Sequence, residues 1–168
     1  MDFDRLIPII RRLALEAGDR IMEVYNGPEF EVKSKSDASP VTEADEAADA
    51  IISAGLRAAF PDVVLITEEQ AASHALTAQT FLIVDPLDGT TNFLHGFPTF
   101  AVSIAAEVRG RLEAAVVLDV MRQEFFTASR GAGAQGGPAL GGMALQGAAQ
   151  VPVGDQPGAK VQRFEPAA

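Results

Sequence analysis

The spacing of apolar residues changes once along this chain, near residue 62, and that change limits the folds open to it. Before it, apolar positions recur every three or four residues. After it, they come in short runs typical of strands. Leu6, Ile10, Leu13, Ala17, Ile21 and Val24 share one face of a helix predicted over residues 4–25. Pro8 fits if it lies in the first turn, where a missing N–H has no intrahelical partner, and Gly27-Pro28 ends the element. Phe30 to Lys33 reads as a short strand, followed by a polar loop from Ser34 to Pro40. A second helix starts at Thr42, with Ala48, Ile51, Ile52, Gly55, Leu56 and Ala59 on its apolar stripe and Pro61 as its stop. Thr42-x-x-Asp45 matches a capping box.

Beyond residue 62, the runs 63–66, 81–84, 100–108, 111–120 and 124–128 read as strands, with Arg109-Gly110 as a hairpin turn. Two helices followed by such strands predict an α+β fold: a layered αβ sandwich with two N-terminal helices packed on an antiparallel sheet. From about residue 130 Gly, Ala, Pro and Gln dominate without a sustained period. Residues 1–134 are therefore expected to form one αβ domain and residues 135–168 an irregular tail.

Composition narrows the function. A formal net charge of −10 repels a nucleic-acid backbone, so a polymer of that kind is not the expected partner. A carboxylate-held cation can still reverse the field locally and admit a small phosphate ester. Cys is absent, which excludes disulfides and thiolate metal sites and points to the cytoplasm. No apolar run is long enough to cross a bilayer, and Asp2, Asp4, Arg11 and Arg12 do not suit a secretory signal.

Three acidic segments carry the chemistry. Asp85-Pro86-Leu87-Asp88-Gly89-Thr90-Thr91-Asn92-Phe93 directly follows the apolar strand 81–84. Its two carboxylates can converge across a turn that Pro86 stiffens and Gly89 permits, and a short helix starting at Thr90 would aim N–H groups at an anion. Carboxylate and carbonyl oxygens suit a hard cation such as Mg²⁺. Alone, this segment is equally an Asp-Gly turn with both acids solvated. Thr67-Glu68-Glu69, at the end of the strand 63–66, alone reads first as a solvated acidic loop. Asp45 alone is accounted for as a capping acid. His74 and His95 are expected to have surface roles, so a Ser-His-Asp triad is not expected.

In combination these segments are far more specific. The loop Lys35-x-Asp37-x-Ser39-Pro40-Val41-Thr42-x-Ala44-Asp45, the pair Glu68-Glu69 and the segment 85–93, with 96–104 and 126–134, resemble the inositol monophosphatase family. That family lies within a lithium-sensitive, Mg²⁺-dependent superfamily that includes 3′(2′),5′-bisphosphate nucleotidases. The likeness covers residues 4–134. It implies that Glu68, Asp85 and the Leu87 carbonyl hold one Mg²⁺ and that Asp85 and Asp88 share a second. It implies that the Gly89 and Thr90 N–H groups bind phosphate, with Lys35 contacting or guiding it. The Thr90 hydroxyl, bonded to Asp45, would orient the attacking water, with Glu68 also in the catalytic set.

The implied activity is hydrolysis of a small phosphate ester, inositol monophosphate or a similar polyol or sugar phosphate, by metal-activated water. The nearest alternative applies this chemistry to a 3′(2′),5′-bisphosphate nucleotide, and a third reading is an inactive metal- or phosphate-binding fragment. Residues 39–45 are closer to the nucleotidase-like and histidinol-phosphatase-like branches, whereas Thr91-Asn92-Phe93 is closer to the inositol monophosphatase branch. The resemblance also implies a homodimer. One departure matters. Family members carry a later Trp-Asp-x-Ala-Ala type motif whose Asp completes the second metal site. This chain has no Trp, and after Ala128 only Asp155 and Glu165 supply carboxylates. A C-terminal truncation or a frameshift near residue 136 is the expectation.

Overall fold

The apolar stripe predicted for the first helix is the one the fold buries. Helix α1 runs Phe3–Tyr25, and Leu6, Ile10, Leu13, Ala17, Ile21 and Val24 all lie in the core. Because α1 begins at Phe3, Pro8 falls beyond the first turn, not within it, and one intrahelical bond is lost there. Leu6 and Ile10, both fully buried, anchor the helix on either side of it. The computed structural model describes residues 3–27, 32–34 and 40–139.

Two short strands, β1 (Val32–Ser34) and β2 (Pro40–Thr42), pair antiparallel before helix α2 (Glu43–Ala59). Thr42 caps α2 in a complete capping box with Asp45. Ala48, Ile52 and Leu56 of α2 are buried, while Ile51, Gly55 and Ala59 are half-buried at its margins. The two helices approach closely at Gly55, where an added Cβ would lie 2.2 Å from Leu13 Cδ2. Any side chain there would have to displace Leu13.

Six strands follow: β3 (Val64–Thr67), β4 (Thr80–Asp88), β5 (Ala101–Val108), β6 (Arg111–Asp119), β7 (Glu124–Ser129) and β8 (Gly133–Pro138). A 3₁₀ turn (Ala71–Ala75) links β3 to β4, and helix α3 (Thr90–Leu94) links β4 to β5. The strands lie in chain order across one sheet. The sheet is mixed, not wholly antiparallel, because β3 and β4 pair in parallel across the connection through the 3₁₀ turn. Arg109 and Gly110, both at positive φ, make the predicted β5–β6 hairpin turn. β8 carries the sheet past residue 134 to Pro138. A segment of Gly-Ala-Gln-Gly-Gly-Pro can do this because a strand at the sheet edge pairs through its backbone and needs no apolar pattern.

Alternation along the strands gives the sheet two different faces. Leu82, Val84, Val102, Ile104, Ala106, Ala114, Val116, Leu118 and Phe125 form one buried core with α1 and α2. Ile83, Ser103, Ala105 and Val117, on the other face, are half-buried, and Phe126 is 52% exposed.

Candidate functional site

The carboxylates meet because of strand parity. In β3, Leu65 and Thr67 point into the helix-covered core, so Glu68 falls on the opposite side. The parallel register sets Thr67 beside Val84, and the Glu68 N–H donates to the Val84 carbonyl at 3.1 Å. Val84 is buried on the core side, so Asp85, the next residue, shares the face of Glu68.

Asp88 needs a further device. Residues three apart on a regular strand face opposite ways. Between Asp85 and Asp88 the register against β5 slips: Asp85 pairs with Ser103, yet Asp88 pairs with Ala101. One extra residue on β4 forms a bulge and returns Asp88 to the side of Asp85.

The electrostatics record this convergence. Burial first, then the charge of Glu68 and that of Asp88, with a side-chain hydrogen bond to Glu68, push the Asp85 carboxyl up to about 8; a hydrogen bond from the Leu87 backbone opposes the rise. Asp85 Oδ1 is buried without a hydrogen-bond partner. A carboxyl oxygen left so is costly unless something else claims it. Among the described residues no group of three or more His, Cys, Asp or Glu side chains is arranged to hold a metal ion. Glu68 and Asp85 are joined by a hydrogen bond, whereas Asp88 is exposed beside them. These oxygen donors nevertheless fit a hard divalent cation, which would occupy the unpartnered oxygen and relieve the repulsion.

A second group of atoms comes from the helix side. Asp45 is 1% exposed. Its Oδ2 accepts from the Thr42 N–H (2.8 Å) and the Thr42 hydroxyl (2.6 Å). Its Oδ1 is 2.9 Å from the Thr90 hydroxyl, which also lies 3.1 Å from the Leu87 carbonyl. The single hydroxyl proton favours the charged acceptor, Asp45. The capping role and the site role of Asp45 thus coexist in one carboxylate, one oxygen for each. Gly89 begins α3 at φ 96, and a Cβ there would sit 3.0 Å from the Thr99 carbonyl oxygen. Only glycine suits that turn.

The structure thus brings together Asp45, Glu68, Asp85, Leu87, Asp88, Gly89 and Thr90. Lys35 lies outside the described residues. His74 and His95 are exposed, with a ring nitrogen 2.9 Å from the Thr67 carbonyl and 2.7 Å from the Thr91 carbonyl respectively. A buried carboxylate absent from the sequence reading is Asp49, 6% exposed on α2 and bonded to Thr67. Its signal was an acid embedded in an apolar stripe, between Ala48 and Ile52.

The chain is similar to known proteins in both sequence and fold. The model of the inositol monophosphatase family matches residues 2–158. The Nus factor SuhB of Escherichia coli K12 is 43% identical over 143 residues, covering 84% of this chain and 52% of that protein. The extragenic suppressor protein suhB of Bartonella henselae superposes with a TM-score of 0.72 at 38% identity, covering 79% of this chain and 52% of that one. The Thermotoga maritima IMPase does so at 0.71 and 32% identity, covering 79% and 51%. The chain spans about half the length of the curated relatives it matches.

Proposed function

The chain belongs to the inositol monophosphatase family, and from that premise we propose that the protein is a Mg²⁺-dependent phosphomonoesterase acting on inositol monophosphate or a similar polyol or sugar phosphate. The observation that carries the reading is the Asp85 carboxyl, with one buried oxygen unpartnered and Glu68 and Asp88 against it. Glu68, Asp85 and the Leu87 carbonyl would hold one Mg²⁺, and Asp85 and Asp88 a second. Bound there, the ions would lower the pKa of water and neutralise charge on phosphate oxygens.

The chain's own groups do the orienting. Thr90 donates its hydroxyl proton to Asp45 Oδ1, which leaves the Thr90 oxygen lone pairs to accept from the attacking water. Asp45 cannot turn away, because Thr42 holds its other oxygen twice. With the Thr90 proton committed to Asp45, the Leu87 carbonyl keeps its lone pairs for the cation. The Gly89 and Thr90 N–H groups open α3 and would receive the phosphate oxygens. Lys35 would guide the ester in. We assign this chemistry to residues 1–134.

The test is phosphate release from inositol 1-phosphate and from 3′-phosphoadenosine 5′-phosphate, with and without Mg²⁺. Mg²⁺-dependent release that Asp85→Asn abolishes is the expected result, and the preferred ester assigns the branch. A second reading is favoured by the name of the relatives, Nus factor SuhB: a partner-binding role without turnover. It predicts Mg²⁺ binding by calorimetry and no phosphate release from either ester.

A further inference from the structure

Thr67 is held at every polar atom. Its N–H donates to the Ser73 hydroxyl oxygen at 3.1 Å, and its carbonyl lies 2.9 Å from His74 Nε2 and 3.3 Å from Ser73 Oγ. Its hydroxyl is hydrogen-bonded to Asp49 Oδ1. Both residues are buried, Thr67 completely. Asp49 is in turn saturated: Ser53 Oγ lies 3.3 Å from Oδ1, and Gln70 Nε2 donates to Oδ2 at 2.7 Å. Gln70 is itself held by Arg57, at 2.8 Å. Helix α2, the end of β3 and the turn after it thus converge on the residue immediately before Glu68.

We propose that Asp49 is a positioning residue for Glu68: by gripping the Thr67 hydroxyl from α2, it fixes the end of β3 and so the direction in which Glu68 meets Asp85. The geometry leaves Glu68 little backbone freedom. Its own N–H is bonded to Val84, one residue from Asp85, and the residue preceding it is pinned from three sides. Asp49 sits on the helix side of the sheet and Glu68 on the other, so Asp49 acts through the backbone of Thr67 without touching the site. Groups that hydrogen-bond a metal ligand directly typically affect affinity by about 10- to 100-fold, and Asp49, one residue removed, is expected at the lower end of that range.

This inference rests on the reading of Glu68 and Asp85 as cation ligands, and the experiment separates the two. The whole chain, stripped with EDTA, is titrated calorimetrically with Mg²⁺ alone, and its metal-free melting temperature is recorded. Asp49→Ala and Thr67→Val should each weaken Mg²⁺ binding by about tenfold or more, whereas Thr67→Ser, which keeps the hydroxyl, should retain wild-type affinity. A purely structural network lowers the metal-free melting temperature and leaves affinity unchanged; that result in a folded Asp49→Ala or Thr67→Val chain overturns the proposal. If Asp49→Ala fails to fold, the Thr67 pair decides, and Thr67→Ser binding as weakly as Thr67→Val also overturns it. Absence of Mg²⁺ binding by the wild-type chain removes the cation reading and this inference with it. Wild-type binding with unaltered variants removes this inference alone.

Discussion

The Asp85 carboxyl measures what the site costs the fold when no cation is bound. Burial and its acidic neighbours lift its pKa from 3.8 to about 8. Between those values the folded chain keeps a proton that the unfolded chain has released. Stability therefore falls as pH rises, and the loss is complete above pH 8. A shift of about four pKa units sets a ceiling on the order of 5 kcal/mol, and partial solvent access brings the expected loss to about 2–4 kcal/mol. Asp85→Asn keeps the shape and removes the titration. In urea unfolding with EDTA, the variant should match wild type near pH 4 and exceed it by about 2–4 kcal/mol at pH 8.5. Saturating Mg²⁺ should reverse the order, because a ligand that binds only the native state stabilises it, and the variant has lost a ligand. A variant no more stable than wild type at pH 8.5 in EDTA would refute the electrostatic account of the site.

Other substitutions probe separate parts of the argument. Thr90→Val keeps the volume but loses the water-orienting hydroxyl; kcat at saturating Mg²⁺ should fall by about 100- to 1000-fold. Thr42→Ala removes the side-chain cap of α2 and the hydroxyl bond to Asp45 Oδ2, leaving only the backbone N–H bond; denaturant unfolding should show a loss of about 1–2 kcal/mol. Gly55→Ala would ordinarily favour a helix by about 1 kcal/mol. Here the new Cβ meets Leu13 at 2.2 Å, so unfolding should instead show a net loss of about 1–3 kcal/mol.

Much of this was legible in the sequence because it depends on period. All six apolar positions assigned to α1 are buried, and the hairpin at Arg109-Gly110 forms, since both follow from local spacing and turn chemistry. The parallel pairing of β3 with β4 was not legible. Alternation in a single strand is the same whichever way its neighbour runs, and the direction is set only by how the chain crosses between them. β8 was missed because edge pairing needs backbone groups, not side-chain pattern. Asp49 was missed because its partner Thr67 lies 18 residues away, beyond the reach of any local rule.

The two faces of the sheet explain why the functional residues occur as neighbours in sequence. Along β3 and β4 each odd–even step crosses the sheet. Thr67 and Val84 serve the core, and Glu68 and Asp85, one step later, face the other way. Any element that grips an inward residue therefore controls the outward one beside it, and α2 does so at two points: Asp49 on Thr67, and Asp45 on Thr90 beyond the bulge. These two carboxylates stand four residues apart, one helical turn, on the same side of α2. A rigid helix thus fixes the separation between the strand that supplies Glu68 and the turn that supplies Thr90. If α2 is the common ruler, combining Asp49→Ala with Thr42→Ala, which loosens Asp45, should weaken Mg²⁺ affinity by more than the product of the single effects, as coupled sites do. Simple multiplication of the two effects in calorimetric titrations would show that the strand and the turn are set independently.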